Sequence, residues 1–285
     1  MKLIYKPDKE IMNVVVFFSG GASSLKAMLN DENYGRLYRV TGTYTDKKDA
    51  KGRQLCNGHD IPNLYVSRKG FYSQRGLDPI YIDSRKRFYE MLAREIEQFD
   101  PDLICLSGYM HIVTDPLLTE YESRVLNVHP ADLAILSGPT CSRLDVSCLS
   151  SRQARSFIKI NKLARKFKGE NAVYDAIAAG ERSTRSTVHI ATEVFDEGPI
   201  VVQSKPFYID PEIHEKALRG LFDCLQDYAS SLQETMKIGG DGPAYLKALK
   251  LISEGRLSID GETLFLFNKI SAENREMPYC GFMLG

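Results

Sequence analysis

The run Asn13-Val14-Val15-Val16-Phe17-Phe18 constrains this chain more than any other stretch. It shows no polar alternation, and it leads at once into Ser19-Gly20-Gly21-Ala22-Ser23-Ser24 and then a helical pattern, LKAMLN. A β-branched and aromatic strand that is apolar on both sides must be covered on both faces, which is the situation of a parallel sheet flanked by helices. Residues 38–44, 63–66, 102–108, 125–128, 187–192 and 199–204 read as further strands. Between them, Phe88, Leu92, Ile96 and Phe99 fall on one face of a helix that Pro101 stops. Residues 211–236 read as one long helix, and 67–80 as a loop. The alternation predicts an α/β fold, a doubly wound and mostly parallel sheet, in one domain over 1–285.

Residues 136–168 stand apart as an insertion in that domain. They begin rich in Ser, Gly, Pro, Cys and Thr. From 152 onward Arg152, Arg155, Lys159, Lys162, Arg165, Lys166 and Lys168 follow with no acid among them. Phe157, Ile160, Ala164 and Phe167 are spaced as an apolar stripe, so the segment reads as a basic amphipathic helix. Two uses are open: a helix docked by its stripe with a solvated charged face, or a lid or anion-binding arm.

Charge sets further bounds. Lys+Arg and Asp+Glu are equal at 37 each, which gives no reason to expect a nucleic-acid partner. No apolar run is long enough for a membrane span or a signal peptide. The six cysteines are scattered without metal-ligand spacing, and they read as thiols of a reducing, cytoplasmic compartment. No metal is expected. Small-molecule substrates are, and a homo-oligomer is left open.

Two places carry candidate chemistry. In Ser19–Ser24 the glycines allow close backbone approach, and the following helix start offers unpaired N–H groups suited to a phosphate. The same segment also reads as an ordinary strand-to-helix turn with a Ser cap. It is neither a P-loop nor G-x-G-x-x-G. The second place is Arg124-Val125-Leu126-Asn127-Val128-His129-Pro130. Asn127 and His129 are two apart, so a strand points both to one side, and Pro130 ends the ladder. They are either strand-end polar groups bonded to backbone or a pair donating two hydrogen bonds to one oxyanion. A carboxylate is needed to hold such a His charged, and Asp196 in the turn FDEGP is the candidate. His189, inside TVHIAT, reads as a strand histidine; His59 and His214 read as surface residues.

With those segments in place the chain resembles the formyltetrahydrofolate-dependent formyltransferase family, in its glycinamide ribonucleotide branch. VVVFFSGGASSLKAML is similar to the family's first strand and phosphate loop, and RVLNVHP to its catalytic N-x-H-P strand. DSRKRFYEMLAREIEQFDPDLICLSGYMHIV, GENAVYDAIAAG, RSTVHIATEVFDEGPIVVQ and ISEGRLSIDGETLFL follow in family order. The resemblance implies 10-formyltetrahydrofolate as co-substrate and the primary amine of a phosphorylated small molecule, glycinamide ribonucleotide first, as acceptor in purine biosynthesis. It implies Asn127, His129 and Asp196 as catalytic. Gly20, Gly21, Ala22, Ser23 and Ser24 would hold the acceptor phosphate, and Met110, His111, Ile112, Val113 and Thr192 would line the folate pocket. Departures stand beside it. Ala22 replaces a loop glycine, His111 replaces an Arg, the H-P-S-L-L-P continuation is absent, and Asp241 stands where the family has a Glu facing the acceptor.

Four other readings remain. Formyl transfer to a different amine and formyltetrahydrofolate hydrolysis share the catalytic half. A non-catalytic folate- or nucleotide-binding protein does not. Neither does a nicotinamide-dependent dehydrogenase, for which Asp46 after the second strand would be the ribose-binding acid.

Overall fold

The computed structural model describes residues 1–285. Met12–Phe18 is buried along its whole length and lies inside an eight-stranded sheet. The strand order is Phe282–Met283, Ile200–Gln203, Thr187–Ile190, Val125–His129, Leu103–Leu106, Met12–Phe18, Tyr38–Thr45, Asn63–Tyr65. Thr187–Ile190 runs antiparallel to both of its neighbours, and every other pairing in the sheet is parallel. The fold expectation therefore holds, with one antiparallel strand let in beside Val125–His129.

Helices cover both faces, as the apolar run requires. Val14, Val16 and Phe18 pack toward Leu25, Met28, Tyr245 and Leu249 on one face; Val15 and Phe17 pack toward Phe88, Leu92 and Ile96 on the other. Chain order reverses between Met12–Phe18 and Leu103–Leu106, which opens a crevice at their carboxyl ends, the usual ligand position in an open α/β sheet. Tyr245 ties this rim down: its hydroxyl lies 2.7 Å from the Leu106 carbonyl and 3.0 Å from that of Leu126. Lys2–Leu3 joins Leu257–Asp260, Thr263–Asn268 and Glu273–Glu276 in a separate antiparallel sheet.

The basic helix the sequence suggests over 152–168 is present but stops at Asn161, and the rest of 136–168 is not helical. Ile135–Gly138, Cys141–Asp145 and Ala164–Arg165 form a three-stranded antiparallel sheet around a single helix, Ser151–Asn161. A capping box of Ser150 and Gln153 starts the helix, and Lys162 in the left-handed region ends it. The expected stripe is not a docking face: Ile160 is 78% exposed, Phe157 is 42% exposed, and Ser151 and Ala154 are buried instead. The helical spacing could not be sustained because the backbone of Ala164 and Arg165 pairs with Ser137 and Leu136. Part of the basic charge is spent locally. Arg155 pairs with Glu262, and the Arg152 guanidinium lies 3.7 Å from the Asp260 carboxylate and 3.9 Å from that of Glu276.

Two smaller differences follow from glycine and sequence length. The expected helix 211–236 is two helices, Pro211–Leu218 and Leu225–Met236, parted where Gly220 takes φ 73°. The expected loop 67–80 contains a short helix, Arg68–Gln74, capped by Ser67.

Candidate active site

Val125–His129 and Thr187–Ile190 pair so that Asn127 lies opposite His189, and His129 opposite Thr187. Directly opposed residues share a face. One antiparallel register therefore brings Asn127, His129 and His189 to the same side of the sheet. The turn after Thr187–Ile190 returns Asp196 into their midst. Asp196 takes φ 53° and is 3% exposed. Its Oδ2 is 3.2 Å from His129 Nδ1, and its Oδ1 is 3.3 Å from His189 Nε2 and 3.5 Å from Asn127 Nδ2. The expected trio is thus assembled. His189, read from sequence as an ordinary strand histidine, is a fourth member. No pattern within its own strand marks it: its place follows from the antiparallel register opposite Asn127.

Electrostatics follow from that geometry. Burial alone would raise the Asp196 pKa, but hydrogen bonding to His189 and the His129 charge outweigh it and hold the carboxyl below the usual range. For His129, burial pushes the pKa down; the Asp196 charge and the Phe167 carbonyl oppose this without overcoming it. The sequence argument had Asp196 keeping the ring charged near neutrality, and burial of the ring works against that. His129 Nε2 is also engaged, at 2.8 Å from the Phe167 carbonyl oxygen. The Asn127 amide nitrogen lies 3.3 Å from His189 Nε2 as well as near Asp196. The polar groups therefore form a closed network in which both candidate oxyanion donors already have partners.

The turn carrying Asp196 is sterically specified. A Cβ on Gly198 would fall onto the Ile190 carbonyl oxygen, which accepts no displacement without breaking the strand end. Gly198→Ala is expected to destabilise the fold by roughly 3 kcal/mol or more, the upper range for overpacking. Urea denaturation checks this directly.

The Gly20–Ser24 segment lies at the start of the helix Ser23–Leu29, at the reversal crevice. Gly20 and Gly21 have open space where a side chain would stand, and neither Gly21 nor Ala22 N–H has an intramolecular partner. Ser24 is less available than its sequence suggests: it is 1% exposed and its N–H donates to Ser107 Oγ at 3.1 Å. Ala22 adopts φ 52° and ψ 51°, a conformation disfavoured by its Cβ, which also packs where any side chain on Gly52 would stand.

The residues expected to line a folate pocket divide. Met110 and Ile112 are exposed at 54% and 38%, and Thr192 is half-buried. Val113 is 3% exposed and packs with the aromatic cluster around Tyr109. His111 Nε2 is 3.0 Å from Asp46 Oδ2, while the Ser19 hydroxyl donates to Asp46 Oδ1 at 2.6 Å. Burial alone would raise the Asp46 pKa, but His111 and Ser19 outweigh it and lower it. Asp46 thus ties the 110–113 segment to Ser19, at the head of the Gly20–Ser24 loop, rather than standing free for a ribose.

Asp241 lies at the junction of the helices Leu225–Met236 and Gly242–Ser253, 8% exposed, with one oxygen unpaired. Burial raises its pKa to about 6. The sign is that of a raised acid: between its unfolded value and about 6 the native state holds the extra proton, so stability falls as pH rises through that window. Asp241→Asn is expected to stabilise the protein by as much as about 3 kcal/mol at pH 8 and by little at pH 4. Thermal melts at the two pH values check it. No group of three or more His, Cys, Asp or Glu side chains is arranged to hold a metal ion. No helix is long and apolar enough to cross a membrane.

Residues 12–140 match the family model described as Formyl transferase. Over that stretch the chain matches a family of enzymes. Among relatives, it is 25% identical over 195 residues to the phosphoribosylglycinamide formyltransferase of Escherichia coli (strain K12), which takes in 68% of this chain and 72% of that protein. It spans 11–15% of the length of the trifunctional purine biosynthetic proteins adenosine-3 that it matches. The phosphoribosylglycinamide formyltransferase of Coxiella burnetii shares the fold with a TM-score of 0.69 at 22% identity, covering 97% of this chain and all of that one. A formyltetrahydrofolate deformylase from Pseudomonas syringae shares it with a TM-score of 0.60 at 17% identity, covering 92% of this chain and 67% of that one.

Proposed function

We propose that this enzyme transfers the formyl group of 10-formyltetrahydrofolate to the primary amine of a phosphorylated small molecule, glycinamide ribonucleotide being the first candidate. The observation that carries the reading is the meeting of Asn127, His129 and Asp196, from two strands and a turn, around one buried point. The amine attacks the formyl carbon. Negative charge collects on the formyl oxygen, where Asn127 Nδ2 and His129 Nε2 can donate hydrogen bonds. For His129 to do so, its N–H exchanges the Phe167 carbonyl for the oxyanion. Asp196 holds the other ring nitrogen and stabilises the imidazolium as the ring takes part in moving the amine's proton. Expulsion of the tetrahydrofolate nitrogen, with protonation, then leaves the formamide.

The unpaired N–H groups of Gly21 and Ala22 support the phosphate as the acceptor's anchor, with Gly20, Ser23 and Ser24 framing it. Met110, His111, Ile112 and Thr192 border the expected folate side. The Asp46 carboxylate bonded to Ser19, immediately before the loop, favours a second reading on the acceptor side: the same transfer to a different amine. The test is incubation with 10-formyltetrahydrofolate while tetrahydrofolate release is followed. Release that depends on glycinamide ribonucleotide supports the first reading, and release only with other amines supports the second. Release without any amine would make the enzyme a hydrolase.

A further inference from the structure

We infer that Arg165, contributed by the insertion, is a positioning residue for the reaction: its guanidinium holds the 196–198 turn so that the Asp196 carboxylate faces His129. The inference rests on the reading of Asn127, His129 and Asp196 as the reacting centre.

Arg165 is 3% exposed, and its nearest carboxylate, that of Glu197, is 4.0 Å away. A buried guanidinium must find hydrogen-bond acceptors or carry a heavy desolvation cost. Here Nη1 donates to the Asp196 carbonyl at 2.5 Å, Nη2 to the Gly198 carbonyl at 2.9 Å, and Nε to the Tyr279 hydroxyl at 3.2 Å. The two main-chain acceptors lie on either side of Glu197, so the planar fork spans the turn. A single ammonium cannot reproduce that geometry. The turn needs holding, because Asp196 sits at φ 53°, a left-handed conformation that Asp tolerates better than most residues but that still has to be fixed against the alternatives. Charge-assisted hydrogen bonds are of the size required to do so.

The neighbouring residues act on the same two side chains. The Phe167 carbonyl meets His129 Nε2, the Gly169 N–H donates to Asp196 Oδ2 at 3.4 Å, and Lys168 pairs with Glu197 at 2.7 Å. Arg165 itself is fixed by the pairing of Ala164–Arg165 with Ile135–Gly138, at Leu136. The insertion is therefore a brace for the reacting turn. This fits neither the docked basic helix nor the acceptor arm that its composition suggests.

The experiment uses the full chain with Arg165→Lys, which keeps a buried cation and removes the fork, and Arg165→Gln as a second variant. His129 is followed by its imidazole C–H resonances in a pH titration without substrate, and kcat and KM are measured with 10-formyltetrahydrofolate and amine. The charged groups around His129 are Asp196, His189 and Arg165. In Arg165→Lys the net charge is conserved; moving the cation away from His129 would raise the titration, so a shift to lower pH reports displacement of Asp196. The expected result is a His129 titration moved to lower pH and kcat reduced at least about 10-fold, with both KM values within about 3-fold. An unchanged titration and unchanged kcat in Arg165→Lys overturns the inference. So does a loss confined to KM, and so does a fully active, folded Arg165→Gln. If the wild type transfers no formyl group yet the titration moves, the positioning holds and the proposed reaction fails. If formyl transfer is found and the titration does not move, the reverse is true.

Discussion

Asp196→Asn is expected to lower turnover by roughly 10²–10⁴-fold, the range for losing a positioned acid–base partner. The substitution is nearly isosteric, so the turn and its Arg165 fork are retained through the main-chain carbonyls. What is lost is a charge facing two imidazoles, at 3.2 Å from His129 and 3.3 Å from His189. An amide presents an N–H to one of these rings and therefore imposes a tautomer on it. If that ring is His129, Nδ1 becomes an acceptor and its neutral form carries the proton on Nε2, with no anion to stabilise the imidazolium. Substrate binding is set elsewhere, so KM for both substrates is expected to stay within a few-fold. Steady-state kinetics with 10-formyltetrahydrofolate and amine decides the matter. A variant within 10-fold of wild-type kcat removes Asp196 from the mechanism, whatever the fold.

The fold was legible where local pattern and tertiary need agree. Met12–Phe18 and Leu103–Leu106 are covered on both faces, so continuous apolar sequence could mean little else. The helix Ile82–Ile96 with Phe99 beyond it buries the side chains its spacing predicts. Where the two disagree, sequence alone misleads. Residues 157–167 have a helical period, yet the chain leaves the helix at Lys162 because Ile135–Gly138 offers Ala164–Arg165 an edge to pair with. No window of ten or fifteen residues contains that edge.

The candidate site was legible for the same reason and to the same depth. Asn127 and His129 declare a shared face by being two apart. Asp196 could be proposed only because chemistry asks for a carboxylate, and its arrival depends on a left-handed residue and a crowded Gly198 that no pattern announces. His189 shares that face through the antiparallel register with Asn127, which is a property of two strands and is written in neither. The roles of Arg165 and Phe167 lie further still from the sequence. Both belong to a segment whose composition argued for a solvated helix, and both are buried, Arg165 against the 196–198 turn and Phe167 with its carbonyl on His129.

Asn127→Ala and His129→Ala are each expected to cost roughly 10²–10³-fold in kcat, the scale for removing one donor from a developing oxyanion. The two losses are not expected to add. Asn127 Nδ2 lies within 3.5 Å of both His189 Nε2 and Asp196 Oδ1, and His129 bonds Asp196 and the Phe167 carbonyl, so the side chains share one network. Removing either leaves the other with a misplaced or idle carboxylate. Residues that act as a unit give double variants little worse than the worse single one. The double variant is therefore expected to fall within about 10-fold of His129→Ala rather than at the product of the two losses. Strict multiplicativity would mean that Asn127 and His129 act on the reaction independently. In that case the closed network around Asp196 is structural, and only one of its members touches the transition state.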